Sequence, residues 1–269
     1  MKKFFMPIMF NNPIKNKTLN VLITRPTEKA KSLTKALANI DIVCVHQSLF
    51  DYQPLADYQT SERLLTNNNI LIFVSVSGVQ FANKIFSATC WRYKNVIAVG
   101  NATKVALQRL GISKVLCPEQ ENSEGLLALS ILNKNFSRDA ITIVRGDSGR
   151  EHLAEQLTKR GATVTYLESY QCVWRTLKED IAKQWFQQQI NCIVVTSNAI
   201  LEKLNLLVFQ QDKNNTEMLI NYWRNQCLWV VASQRIANTA QKFGLTHVII
   251  SNGASEKAIA NTLQQFQNN

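Results

Sequence analysis

Short apolar runs alternate along the chain with stretches in which apolar residues recur three and four apart. The runs are "NVLIT" from Asn20, "IVCVHQ" from Ile42, "ILIFVS" from Ile70, "VIAVG" from Val96 and "KVLCP" from Lys114. They continue with "AITIVRG" from Ala140, "TVTYLESY" from Thr163, "CIVVTS" from Cys192, "CLWVVAS" from Cys227 and "HVIIS" from His247. Rich in Val and Ile and bounded by turn residues, they have the pattern of strands buried on both faces. Between them, "EKAKSLTKALANI" and "REHLAEQLTKRGA" carry one apolar face at helical spacing. Strand, helix, strand in this rhythm predicts an α/β fold with parallel sheets.

The pattern also repeats. "LITRPTEKAKSLTKALANIDIVCVHQSLFDYQ" aligns with "TIVRGDSGREHLAEQLTKRGATVTYLESYQC", setting Arg25 over Arg145 and Phe50 over Tyr170, both at a spacing of 120 residues. "IFVSVSGV" then matches "IVVTSNAI", and the segment from Ala98 matches the segment from Val231 in the same order. Two similar α/β units predict a cleft that takes a ligand at the strands' carboxyl ends. The tips collected there include Thr24, Arg25, Ser75, Ser77, Gly78, Gly100 and Asn101 from the first half. Arg145, Gly146, Thr196, Ser197, Asn198, Ser233, Gln234, Arg235, Ser251, Gly253 and Ser255 come from the second. Such residues cap helices, and they also leave backbone N–H groups free for an anion. Arginine adds a bidentate grip on carboxylate or phosphate.

Composition narrows the ligand. At 269 residues with 46% hydrophobic content, the chain has material for two ordinary domains. A formal net charge of +11 favours an anionic partner. A nucleic acid fits poorly, because the basic residues are dispersed and no aromatic-basic interleave occurs. No run approaches the ~18 apolar residues of a membrane span, and residues 1–18 read as a loose leader before the fold. Six cysteines and three histidines show no metal-ligand spacing, so no metal is expected and the compartment reads as reducing, cytoplasmic.

"RGDSGRE" has the outline of a phosphate loop, yet neither G-x-x-x-x-G-K-[ST] nor G-x-G-x-x-G occurs in the chain. Mechanically, Gly146 supplies a turn, Asp147 or Ser148 a helix cap, and Glu151 a charge favourable near a helix N-terminus. Hydrolase elbows and zinc motifs are absent as well. Tyr170 stands out as a phenol at the matched edge of a repeat, able to give a proton or hydrogen bond while uncharged. Packing in a strand is the ordinary use of such a tyrosine.

From about Val21 onward, "LITRP", "FVSVSGV", "AVGNATKVAL", "SEGLL", "RGDSGREHLAEQLTKRGATV", "YQC", "VVTS" and "VASQRIA…GASEKAI" resemble, in order and spacing, the uroporphyrinogen-III synthase family. The resemblance implies two Rossmann-like or flavodoxin-like α/β domains with parallel sheets, joined by a two-stranded β-ladder around Gln47–Gln53 and Ser169–Trp174. One domain would take residues 19–47 and 172–269, the other 50–168. The implied reaction cyclises hydroxymethylbilane, a linear tetrapyrrole octaacid, to uroporphyrinogen III with ring D inverted and water lost. It needs no cofactor, and the protein is expected to be a cytoplasmic monomer in transient contact with hydroxymethylbilane synthase. Tyr170 matches the family tyrosine that assists hydroxyl departure. Arg25, Ser75, Ser77, Gly100, Arg145, Gly146, Thr196, Ser197 and Ser233 form the expected substrate-binding set. Ser75 matches the serine of the family's F-T-S-x-N motif, whose threonine and asparagine are here Val74 and Ser77; Thr196 and Ser197 match the second-half tip. The alternative reading of the same residues is a non-enzymatic two-domain binding or sensor protein for a small polyanion. With an octaacid substrate, raising the ionic strength is expected to raise the apparent KM more than it lowers kcat in a steady-state assay.

Overall fold

The computed structural model describes residues 18–137, 139–149, 151–209 and 216–268, apart from the Glu28 side chain. The expected leader lies outside them except for Thr18. Eleven strands run in chain order among these residues. They are β1 (Asn20–Ile23), β2 (Val43–His46), β3 (Phe50–Pro54), β4 (Ile70–Phe73), β5 (Asn95–Ala98) and β6 (Val115–Leu116). The second half supplies β7 (Ala140–Gly146), β8 (Thr163–Trp174), β9 (Cys192–Val195), β10 (Leu228–Val231) and β11 (Val248–Ile250).

The strands form two sheets, one ordered β11-β10-β9-β1-β2 and the other β3-β8-β7-β4-β5-β6. All pairings in the first sheet are parallel, as are those from β8 across to β6 in the second. The repeat explains the order. In the first sheet, β1 and β2 of the first half lie beside β9, β10 and β11 of the second. In the other, β7 and β8 of the second half lie beside β4, β5 and β6 of the first. Counted from its own leading strand, β1 or β7, each five-strand set has the spatial order 2-1-3-4-5 of flavodoxin-like sheets. Each half lends its first two strands to the other sheet.

The chain divides into two compact units, changing from one to the other between Asp51 and Tyr52 and again between Val173 and Trp174. The connections are made by strands. β8 continues unbroken through the second change, and β3 is its neighbour in the sheet. β2 and β3 are separate elements, although Gln47 and Leu49 still donate to the carbonyls of Ile23 and Thr24. At the edge of the first unit Arg175 grips Asp51 through two hydrogen bonds of 2.6 and 2.8 Å, and Phe50 meets Trp174 edge-on.

Side-chain alternation along β4 creates two cores in the second unit. Leu71 and Phe73 join Val96, Ala98, Val144 and Leu167 on one face. Ile70 and Ile72 join Ile97, Ile141, Ile143 and Leu157 on the other. In the first unit, Val21, Ile23, Cys192 and Val194 pack under the helices Thr27–Ala38 and Glu256–Asn268. Parallel strands require this double cover.

Helix ends show where local chemistry fits and where it is strained. After the helix His152–Lys159, Gly161 takes φ +91°, Gly161 N–H bonds Thr158 O, and Ala162 N–H bonds Leu157 O. Those paired bonds satisfy carbonyls that the helix cannot reach itself. The helix Ile181–Gln187 ends in the same way, with Gln189 N–H on Phe186 O and Ile190 N–H on Trp185 O. Here, however, the left-handed position is filled by Gln189 at φ +61°. A side chain there costs roughly 1–2 kcal/mol, part of which glycine would return as extra freedom when unfolded. Gln189→Gly is therefore expected to stabilise the protein by about 0.5–1 kcal/mol. Urea unfolding should show this as a higher midpoint at unchanged slope.

Candidate active site around Tyr170

The carboxyl ends of β4, β7 and β8 converge in the second unit. β4 and β7 are adjacent but lead to helices over opposite faces, the crevice position of an open parallel sheet. Along β8, strict alternation would put Tyr170 on the side of Tyr166 and Glu168. The register changes at this point: Arg145 pairs with Glu168, and Gly146 pairs with Tyr170, skipping Ser169. The extra residue turns Tyr170 to the face covered by the helix Val76–Ile85, as a bulge does. Ser169 is fully buried there, its hydroxyl 3.3 Å from Gly78 O and 3.2 Å from Arg145 O.

Tyr170 is half-buried in aromatic company. Its ring stacks on Phe81 at 5.5 Å between centroids and meets Tyr52 edge-on at 4.9 Å. Gly146 is the floor. A Cβ there would stand 2.8 Å from Tyr170 Cζ, so only glycine lets the ring lie against the strand. The phenol oxygen is 3.2 Å from Ser75 Oγ, which also accepts the Gly78 N–H at 2.9 Å. Burial raises the phenol's pKa; the Ser75 hydrogen bond acts in the opposite direction. Tyr170 thus keeps its proton across the physiological range.

Arg145 points to the opposite face and is already committed. Its guanidinium binds Glu151 at 2.7 Å and Glu168 at 2.9 Å and lies 3.6 Å above the centre of the Tyr166 ring. Burial alone would lower its pKa; the bonds with Glu151 and Glu168 more than reverse that. Tyr166 donates to Glu151 at 2.6 Å, and burial followed by this bond pushes the phenol up to about 12. Arg145 is consequently not the open carboxylate fork expected from the sequence. Its two glutamates neutralise it. The loop after it also departs from expectation. Glu151, rather than Asp147 or Ser148, occupies the N-cap of His152–Lys159, and its carboxylate serves Arg145 and Tyr166 instead of the helix. The Asp147 N–H is taken by Tyr170 O at 2.9 Å. Beside Arg145 lies a cavity of about 290 Å³ with Val74, Val99, Ile143 and Leu153 in its wall.

Other expected positions have varied surroundings. Ser77 is 3% exposed and packs inside its helix. Gly100 precedes the helix Asn101–Arg109, where Glu121 accepts the Asn101 N–H at 2.9 Å; a Cβ on Gly100 would run into that carboxylate. In the first unit, Ser197 accepts the Ile200 N–H, the same cap that Ser75 makes. Thr196 is half-buried beside it, and Ser233 is an N-cap without a side-chain capping bond. Arg25 is buried and donates to Ala254 O; burial lowers its pKa, and Glu256 counteracts this. His46 Nε2 contacts the Arg25 carbonyl at 2.8 Å. Among the described residues no group of three or more His, Cys, Asp or Glu could hold a metal ion.

Comparison with known proteins bears on this arrangement. The family model for Uroporphyrinogen-III synthase HemD matches residues 31–261. The uroporphyrinogen-III synthase of Escherichia coli (strain K12) is 30% identical over 257 residues, covering 91% of this chain and 100% of the relative. The chain belongs to the uroporphyrinogen-III synthase family. A uroporphyrinogen-III synthase of Salmonella typhimurium is 29% identical over 254 residues, with 91% of this chain and 100% of the relative covered. A mutant uroporphyrinogen III synthase from Thermus thermophilus superposes with a TM-score of 0.59 at 12% identity, covering 93% of this chain and 100% of that one. The Helicobacter pylori enzyme gives 0.53 at 14%, with 92% and 99% covered. At those identities the two structures share the fold.

Within this family member, sequence reasoning reached Tyr170 and Ser75 but missed Tyr52, Phe81 and Glu121. Tyr52 sits in the expected ladder, where aromatic neighbours across the strands, as with Tyr170, are a usable signal. Phe81 and Glu121 carry none. The Gly146 floor yields a direct test. Gly146→Ala should overpack the ring and destabilise the protein by about 1–3 kcal/mol in urea unfolding. Wild-type stability would mean that the ring moves aside freely.

Proposed function

We propose that this chain is a lyase that converts hydroxymethylbilane to uroporphyrinogen III, inverting ring D and releasing water. In this reading it works without a cofactor, as a cytoplasmic monomer that meets hydroxymethylbilane synthase transiently. The observation that carries the proposal is Tyr170: a protonated phenol at a strand end, turned out of register and set among aromatic rings. The nitrogen of ring A, the pyrrole that bears the hydroxymethyl group, pushes its electron pair toward the hydroxymethyl carbon, the C–O bond breaks, and the oxygen leaves as water after gaining a proton. Tyr170 supplies that proton or a hydrogen bond at the departing oxygen. The substituted α-carbon of ring D attacks the resulting azafulvene to give a spiro intermediate. The bond from that carbon to the ring-C bridge then breaks, and the bridge re-bonds to the free α-carbon of ring D with loss of a proton, which leaves ring D reversed. What the protein adds is chiefly orientation of a flexible chain and exclusion of the uninverted closure.

The substrate-facing set remains Arg25, Ser75, Ser77, Gly100, Arg145, Gly146, Thr196, Ser197 and Ser233, with a change in what the groups do. Because Arg145 is bound by two carboxylates and Arg25 is turned onto Ala254 O, anion contacts fall mainly to hydroxyls and backbone N–H groups at the tips, while Arg25 and Arg145 brace the loops that present them. Supplying hydroxymethylbilane and separating the uroporphyrinogen isomers tests the activity. Type III is expected, and type I alone would overturn the proposal. Tyr170→Phe is expected to lower kcat on the order of 10- to 100-fold, the low end of general-acid assistance, because the pyrrole nitrogen already drives departure. KM should change little and the product should remain type III. A wild-type kcat would remove Tyr170 from the chemistry.

A further inference from the structure

The sequence marks Ser75 as a substrate ligand, but its hydroxyl has two protein partners within the second unit. It is the N-cap of the ten-residue helix Val76–Ile85 and accepts the Gly78 N–H at 2.9 Å. That bond uses one lone pair of Oγ and leaves the hydroxyl proton to be placed. Tyr170 Oη stands 3.2 Å away. Two settings of this second bond exist. If Tyr170 donates, its proton is consumed by the serine. If Ser75 donates, the phenol proton points away from Ser75. Accepting from the positive end of a helix polarises the Ser75 O–H and makes it the better donor, while weakening its oxygen as an acceptor.

We infer that Ser75 is a positioning residue, donating its hydroxyl proton to Tyr170 Oη so that the phenol proton stays free for the departing group. The inference rests on the reading of Tyr170 given above and assigns Ser75 a role through the tyrosine instead of through a substrate carboxylate. Three constraints keep the ring in place for this bond. The skipped Ser169 brings Tyr170 to the Ser75 face, Gly146 gives the ring its floor, and Phe81, on the helix that Ser75 caps, stacks against it. The charged or titratable groups acting on the phenol besides Ser75 are Cys172 on its own strand and Asp147 on the preceding loop; both oppose its ionisation. Ser75 acts on the ionised oxygen in the opposite sense.

The test combines a titration with a mutant cycle. Tyrosinate absorbance of Tyr170 is isolated by subtracting the Tyr170→Phe protein, and it requires no turnover. Tyr170 is expected to titrate at higher pH in Ser75→Ala than in the wild type. Ser75→Asp keeps an oxygen for the Gly78 N–H but has no proton to give when ionised, so it should hold the helix cap and still raise the titration. Ser75→Thr should restore the wild-type curve. In turnover, Ser75→Ala is expected to lower kcat roughly 3- to 10-fold, the worth of one hydrogen bond, with KM nearly constant. Added to Tyr170→Phe, it should cost nothing further. An unchanged titration in both Ser75→Ala and Ser75→Asp would overturn the inference. So would a raised KM that persists in the double variant, which would return Ser75 to the substrate. A shifted titration combined with wild-type kcat in Tyr170→Phe would instead uphold the hydrogen bond and sink the role of the phenol.

Discussion

Pairing of β1 with β9 joins Val21 to Cys192 and Ile23 to Val194, while β4 joins β7 through Ile70 with Ile141 and Phe73 with Val144. These long-range parallel pairings govern the rest of the structure. Parallel strands cannot be linked by a tight turn, and their apolar faces must be covered on both sides. Each half of the chain therefore builds crossovers. By giving its first two strands to the other sheet, each half also obliges the chain to pass between units twice. The two crossings are a consequence of the exchange, and they fall in β3 and β8.

The same geometry collects helix N-termini and strand ends, the proposed contacts for an anionic substrate, but the fold spends several of those groups on itself. Ser75 and Ser197 cap helices, Glu121 occupies the Asn101 N–H, and Tyr170 O takes the Asp147 N–H. Arg145 is neutralised by Glu151 and Glu168, and Arg25 is turned onto Ala254 O. The two carboxylates offset the burial of Arg145, whereas Arg25 meets a neutral carbonyl and keeps a buried Nε without a hydrogen-bond partner. The net charge of +11 is a property of the whole chain and does not make Arg145 an open anion site. In the proposed reaction, selectivity would then rest on shape and on oriented neutral donors.

The alternation of apolar runs, the parallel sheets and the duplication were legible because each depends on residue type at fixed spacing, while the exchange of first units came through the family resemblance. Ile70 to Phe73, a short apolar run bounded by turn residues, has the pattern of a strand covered on both faces, and the 120-residue offset between Arg25 and Arg145 carries the repeat. Tyr170 was legible as a candidate through the family pattern. The cap at the head of the helix His152–Lys159 was misread, because Glu151 responds to Arg145 and Tyr166, which reach it from neighbouring strands. Left-handed Gln189 also escaped notice, since a glutamine gives no sign of φ +61°.

The class of fold, its duplicated plan and the phenol and hydroxyls available for chemistry follow from residue order alone; periodicity and turn residues act locally, so they can be read locally. The face that Tyr170 occupies and the groups that remain free to bind are settled by the folded arrangement. Whether Ser169 is skipped is a relation between β7 and β8, and whether a guanidinium is spent depends on carboxylates brought to it across the sheet. Neither relation exists until the strands have paired.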